Sequence, residues 1–127
     1  MTDREIQLSD AQLDVMRAVW ALGRATTAEV YRQAGRPRDV AYTTIATTLT
    51  RLEKRGLLKS TKDDAGERVF EALVTEDEVT RSMVSSLIGS LFQGDPRALV
   101  SHLVRASEIK QGDLDTVKRL LEEDGKP

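Results

Sequence analysis

Between residues 41 and 58 the chain reads AYTTIATTLTRLEKRGLL, in which Thr43, Thr44, Thr47, Thr48 and Thr50 stand beside Arg51, Lys54 and Arg55. Such a set suits the surface of a DNA duplex. Short hydroxyls bond phosphate oxygens or base edges, threonine methyls meet the C5-methyl of thymine, and guanidinium and ammonium groups neutralise phosphates. If 41–55 is one helix, a 3.6-residue period gathers Ile45, Leu49 and Leu52 on one stripe. Thr43, Thr47, Thr50 and Lys54 fall on the opposite stripe, with Arg51 on its shoulder. Threonine loses rotamer freedom in a helix, so five of them do not serve helix stability. The bland alternative is an ordinary amphipathic helix with a threonine-rich solvated face, and this stretch alone leaves both open.

Charge placement favours the first. The 127 residues carry a net charge of −2, which argues mildly against nucleic acid, but footprint matters more than total. Between Arg32 and Lys62 eight basic residues face only Asp39 and Glu53, a local +6, whereas from Glu76 onward ten acids face seven bases. The middle of the chain is the basic working surface.

The elements that would position this face carry clear boundary signals. Ser9 as N-cap, Gln12 as its capping-box partner and Leu8 as a staple open a first helix, with Val15, Met16, Val19, Trp20 and Leu22 on its apolar side and Gly23 at its end. Trp20 reads as core filling. Thr26-Thr27-Ala28-Glu29 repeats the signal for a short helix over 27–34 with Val30 and Ala34 inward, and 35–39 is a Gly/Pro turn. Two short helices, a turn and the threonine-faced helix make a helix-turn-helix by order and spacing. After Gly56, residues 57–62 and 68–74 read as two strands around a turn-rich loop, a hairpin in the place of a wing. Its flanks carry Lys59, Lys62 and Arg68, and its tip is acidic, with Asp63, Asp64 and Glu67. The edges, at Lys62 and Arg68, are therefore the expected phosphate contacts.

Thr75 to Glu78 is a third capping box, opening a helix in which Val79, Met83, Leu87 and Leu91 recur at i+4. Asp95-Pro96 opens another with Leu99, Val100, Leu103 and Val104 on its apolar side. A last helix over 109–123 carries Leu114, Val117, Leu120 and Leu121. Three such helices cannot bury their faces on a two-stranded wing. A second copy of the same helices is the economical partner, with Val79, Met83, Leu87, Leu91, Leu99, Leu103, Leu114, Val117 and Leu121 at the interface; the alternative is that they fold back as a monomeric bundle. The expected architecture is mainly α with a small β-hairpin: a winged helix-turn-helix over 1–75 and a helical dimerisation part over 76–127.

VMRAVW, AYTTIATTLTRLEKRGLL and LVSHLV together resemble the penicillinase repressor (BlaI/MecI) family from Leu8 to about Glu123. The most specific part is the pattern met by Thr44, Ile45, Thr47, Leu49, Arg51, Leu52, Lys54, Arg55 and Gly56. The resemblance implies a homodimeric repressor bound to inverted repeats in promoters, such as those of β-lactamase and other resistance operons. It also implies release when a membrane-anchored zinc metalloprotease sensor triggers cleavage in the dimerisation part. At the corresponding bond this chain has His102-Leu103 where the best-known members have Asn-Phe. A copper-sensing branch resembling the family uses C-terminal cysteines, and this chain has no Cys.

An enzyme is not expected. There is no phosphate-cradling glycine loop, and no His or Cys stands beside a carboxylate motif. No metal site or cofactor is expected, His102 has no companion ligand, and the absence of a signal peptide or long apolar run suggests a cytoplasmic protein. Three non-catalytic readings remain: the two-fold repressor, a winged-helix regulator answering to a small ligand, and an interaction module without DNA affinity. The first predicts double-stranded DNA as partner, read by Thr43, Thr44, Thr47 and Thr50 and held by Arg51, Lys54, Arg55, Lys62 and Arg68. From the cations, doubled by symmetry, a log–log salt slope of about −5 to −9 follows.

Overall fold

The computed structural model describes residues 5–106 together with Asp115, Thr116 and Arg119. Helix α1 (Asp10–Leu22) leads into strand β1 (Arg24–Thr26), α2 (Thr27–Val30) and the threonine-bearing α3 (Tyr42–Lys54). Strands β2 (Leu58–Lys62) and β3 (Arg68–Ala72) follow, then α4 (Glu76–Phe92) and α5 (Pro96–Arg105).

Local chemistry sets the helix starts. The Ser9 hydroxyl accepts from the Gln12 amide while the Gln12 side chain accepts from the Ser9 amide, and Thr26 and Glu29 repeat this reciprocal pair on α2. Thr75 and Glu78 do the same at the head of α4. Each pair satisfies donors that a helix start leaves without partners.

Two features depart from the expected elements. Helix α2 is α-helical for only one turn. It widens into a π turn over Tyr31–Gly35 and tightens into a 3-10 turn over Arg36–Arg38, with Asp39 left-handed at φ 56°. The sheet has three strands rather than the two of a hairpin, in the order β1-β3-β2 and antiparallel throughout. Strand β3 lies between the other two: Phe70 is opposite Ala25 on one side and Ser60 on the other. With both edges paired, β3 buries Val69 and Phe70, and Phe70 joins the core.

The chain divides into two compact units, residues 1–83 and 84–127. In the first, Val15, Met16 and Val19 of α1 meet Ile45, Leu49 and Leu52 of α3 and Phe70 of β3 in one cluster, nearly all fully buried. Truncating such a side chain, for example Leu49→Ala, costs about 2–5 kcal/mol. Trp20 lies against this cluster and its indole N–H donates to the Val74 carbonyl at 2.9 Å.

This unit extends beyond residue 75 because the first turns of α4 belong to it. Val79 is buried in the same core, Met83 packs on it, and Ser82 clasps the N-terminal segment. The Ile6 amide donates to Ser82 Oγ at 2.7 Å, and that hydroxyl donates to the Ile6 carbonyl at 3.3 Å. In the second unit, Gln93 and Gly94 adopt positive φ between α4 and α5, and Asp95 caps α5 at the Arg97 amide. Among the described residues no helix is long and apolar enough to cross a membrane.

Candidate nucleic-acid interface

Helix α3 buries Ile45, Leu49 and Leu52 and turns its other side to solvent. On that side Thr43, Thr44, Thr47, Arg51, Lys54 and Arg55 are exposed. The threonines divide by what their hydroxyls do. Thr48 and Thr50 are half-buried and donate back to the carbonyls of Thr44 and Ala46, at 2.8 and 3.1 Å. The hydroxyls of Thr43 and Thr47 have no hydrogen-bond partner among the described residues, so both keep a donor and an acceptor for something outside the chain.

The cations divide as well. Arg51, Lys54 and Lys62 form no ion pair among the described residues, and Arg55 touches only a neutral group, Gln12 Oε1 at 3.4 Å. Arg68 is different. Its guanidinium is bonded to Glu53 of α3 and lies 3.3 Å from Ser60 Oγ, with its carbon 4.9 Å from the Phe70 ring centroid. Ser60 in turn donates to the second Glu53 oxygen at 2.6 Å. Arg68, expected at a phosphate, is thus held in a brace between α3 and the wing.

The backbone end of α3 sets the wing's starting point. Gly56 takes φ 78°, and the Leu57 amide returns to the Leu52 carbonyl at 3.0 Å, which turns the chain directly into β2. The wing tip is an Asx turn, in which Asp63 Oδ1 accepts from the amides of Ala65 and Glu67 at 2.9 Å each.

Three side chains near α3 were not assigned a role from the sequence: Glu53, Arg36 and Tyr42. Glu53 pairs with a residue fifteen positions away, which helix periodicity does not reveal. Arg36 lies over the Tyr31 ring, and Tyr42 meets that ring edge-on. An aromatic residue at the first position of the threonine-faced helix is the signal that could have singled out Tyr42.

The residues assigned to a dimer interface fall into three groups. Val79 and Met83 are taken up by the first unit's own core. In the second unit Leu87 is 42% and Leu91 66% exposed, whereas Leu99 and Leu103 are half-buried. Leu114, Val117 and Leu121 lie outside the described residues. His102 is exposed with its ring 6.0 Å from that of Phe92, and the His102-Leu103 bond lies inside α5.

A helix-turn-helix whose third helix has a bare hydroxyl-and-cation face, followed at once by a sheet-anchored hairpin, is a winged-helix DNA-binding domain in fold. The Penicillinase repressor family model matches residues 8–123. The chain is 22% identical over 121 residues to the penicillinase repressor of Staphylococcus aureus, covering 95% of each. It is 29% identical over 118 residues to the transcriptional regulator BlaI of Mycobacterium tuberculosis (strain ATCC 25618 / H37Rv), covering 92% of this chain and 84% of that one. Among solved structures, the monomeric form of Bacillus licheniformis BlaI in complex with the blaP half-operator is similar, with a TM-score of 0.52 and 31% identity. That match covers 59% of this chain and 90% of the other. The chain belongs to the penicillinase repressor family.

Proposed function

We propose that this protein is a homodimeric transcriptional repressor that binds inverted-repeat operators through the first unit and dimerises through the second. One observation carries the reading: the outward face of α3 holds two hydroxyls, Thr43 and Thr47, that have no partner among the described residues, beside two cations, Arg51 and Lys54, that have no counter-ion among them. In a major groove the threonines reach base edges while Arg51, Lys54, Arg55 and Lys62 neutralise phosphates. The exposed Leu87 and Leu91 are the apolar surface a second copy would cover. Two recognition helices related by a two-fold axis read half-sites about one or two helical turns apart.

In the family, repressors are relieved by proteolysis in the dimerisation part. A protease binds its substrate extended, so cleavage at His102-Leu103 requires α5 to unwind locally first. Selection of genomic fragments by the purified protein, followed by anisotropy of the best duplex at several salt concentrations, tests the central reading. An inverted repeat with a steep salt slope is the expected result. Recovery of no specific sequence, or a flat slope, overturns it.

A further inference from the structure

Tyr42 opens α3 and is 47% exposed, and its ring has an aromatic neighbour. The Tyr31 ring meets it edge-on, with centroids 5.5 Å apart and planes at 63°, and Arg36 lies over the Tyr31 ring at 5.9 Å. Tyr31 can occupy that place because residue 35 is glycine. A Cβ at Gly35 would stand 2.6 Å from Tyr31 Cδ1 and 3.0 Å from Ile45 Cγ1. The π turn over Tyr31–Gly35 therefore builds a ring platform at the head of α3, and π turns recur at functional sites.

Side chains on a helix lean toward its N-terminus, so Tyr42 projects off the leading end of α3. Four residues on, the same shoulder carries only the small, half-buried Ala46. A tyrosine held edge-on by another ring offers a flat apolar surface at little cost in side-chain entropy, since only two χ angles are fixed. Among base edges in the major groove the one apolar group is the C5-methyl of thymine.

We infer that Tyr42 is a specificity-determining residue whose ring covers the C5-methyl of one thymine in each half-site, with Tyr31 as the positioning residue behind it. The inference rests on the DNA-binding reading above. The phenol of Tyr42, which has no hydrogen-bond partner among the described residues, is left for a phosphate oxygen.

The test uses the full-length protein and its selected operator, with each thymine of a half-site replaced in turn by deoxyuridine, which lacks only the methyl. Wild type loses about fourfold in affinity at one position, the burial of a single methyl. Tyr42→Ala binds thymine and deoxyuridine there equally, whereas Tyr42→Phe, Thr43→Ser and Thr47→Ser keep the difference. Tyr31→Phe also keeps it, and Tyr31→Leu, which removes the edge contact, diminishes it without changing the salt slope. Persistence of the fourfold difference in Tyr42→Ala, or no deoxyuridine sensitivity in wild type, overturns the inference. Failure of wild type to select any duplex overturns instead the repressor reading on which it depends.

Discussion

Replacing Glu53 by Gln tests whether the recognition surface holds one cation in reserve. Glu53 is the one acid on the exposed turns of α3, and its carboxylate carries Arg68 and Ser60. The pair is a surface one, with side chains 29% and 43% exposed, so its loss costs folding only about 0.2–1 kcal/mol. The effect on DNA is larger. On the proposed reading, with Arg68 braced, Arg51, Lys54, Arg55 and Lys62 are the expected phosphate neutralisers of each protomer. At about 0.9 per contact a dimer then shows a log–log salt slope of about −7. Glu53→Gln removes the counter-charge and releases Arg68, steepening the slope to about −9. At about 0.15 M salt one further released counterion is equivalent to about fivefold in affinity per half-site. Anisotropy titrations of a single operator duplex between about 0.05 and 0.3 M salt measure both quantities. The double variant Glu53→Gln/Arg68→Gln should return the slope to about −7. An unchanged slope in Glu53→Gln, or affinity that falls while the fold is intact, would refute the reasoning and put Arg68 on the DNA already.

Other perturbations address other parts of the chain. Gly35→Ala forces the Tyr31 ring and Ile45 apart and should lower stability by about 1–3 kcal/mol, read as a calorimetric shift in Tm. Thr47→Ala should change which base is preferred by about 1–3 kcal/mol at one base pair, whereas Arg51→Ala should weaken binding to all sequences alike, as comparison of a mutant operator library will show. Leu91→Asp places a charge on the most exposed large apolar side chain of α4 and should give monomers in sedimentation that bind the operator weakly; an undiminished dimer would put the interface elsewhere. Glu29 supplies a pH dependence, because the Thr26 amide and then its hydroxyl hold the Glu29 carboxyl below its ordinary value of 4.5. The sign follows: the stabilisation is complete above about pH 4.5 and is lost as pH falls through the lowered value, so Glu29→Gln should narrow the difference in Tm between about pH 6 and pH 3.

Much of this molecule could be read from local signals. The capping pairs Ser9/Gln12, Thr26/Glu29 and Thr75/Glu78 form because each is complete within four residues, and the apolar period of α3 places Ile45, Leu49 and Leu52 in the core. What escaped depends on distant partners. Strand β1 is three residues long, overlaps a capping signal and exists only because β3, more than forty residues later, pairs with it. The charge of Arg68 is visible in sequence, whereas its bond to Glu53, fifteen residues earlier, is not. The i+4 repeat of α4 marks Val79, Met83, Leu87 and Leu91 as one stripe. Periodicity alone does not say that the first two close the winged-helix core while the last two stay exposed.

The placement of the rarer aromatic side chains makes the protein spectroscopically addressable at two separate places. Its single tryptophan, Trp20, is bonded to Val74 just ahead of α4, so indole emission reports melting of the first unit. Both tyrosines stand together at the head of α3, so fluorine incorporated at tyrosine yields two resonances that watch the same few ångströms of surface. Unfolding and ligand arrival can therefore be followed separately, the first by native indole emission and the second by fluorine resonance.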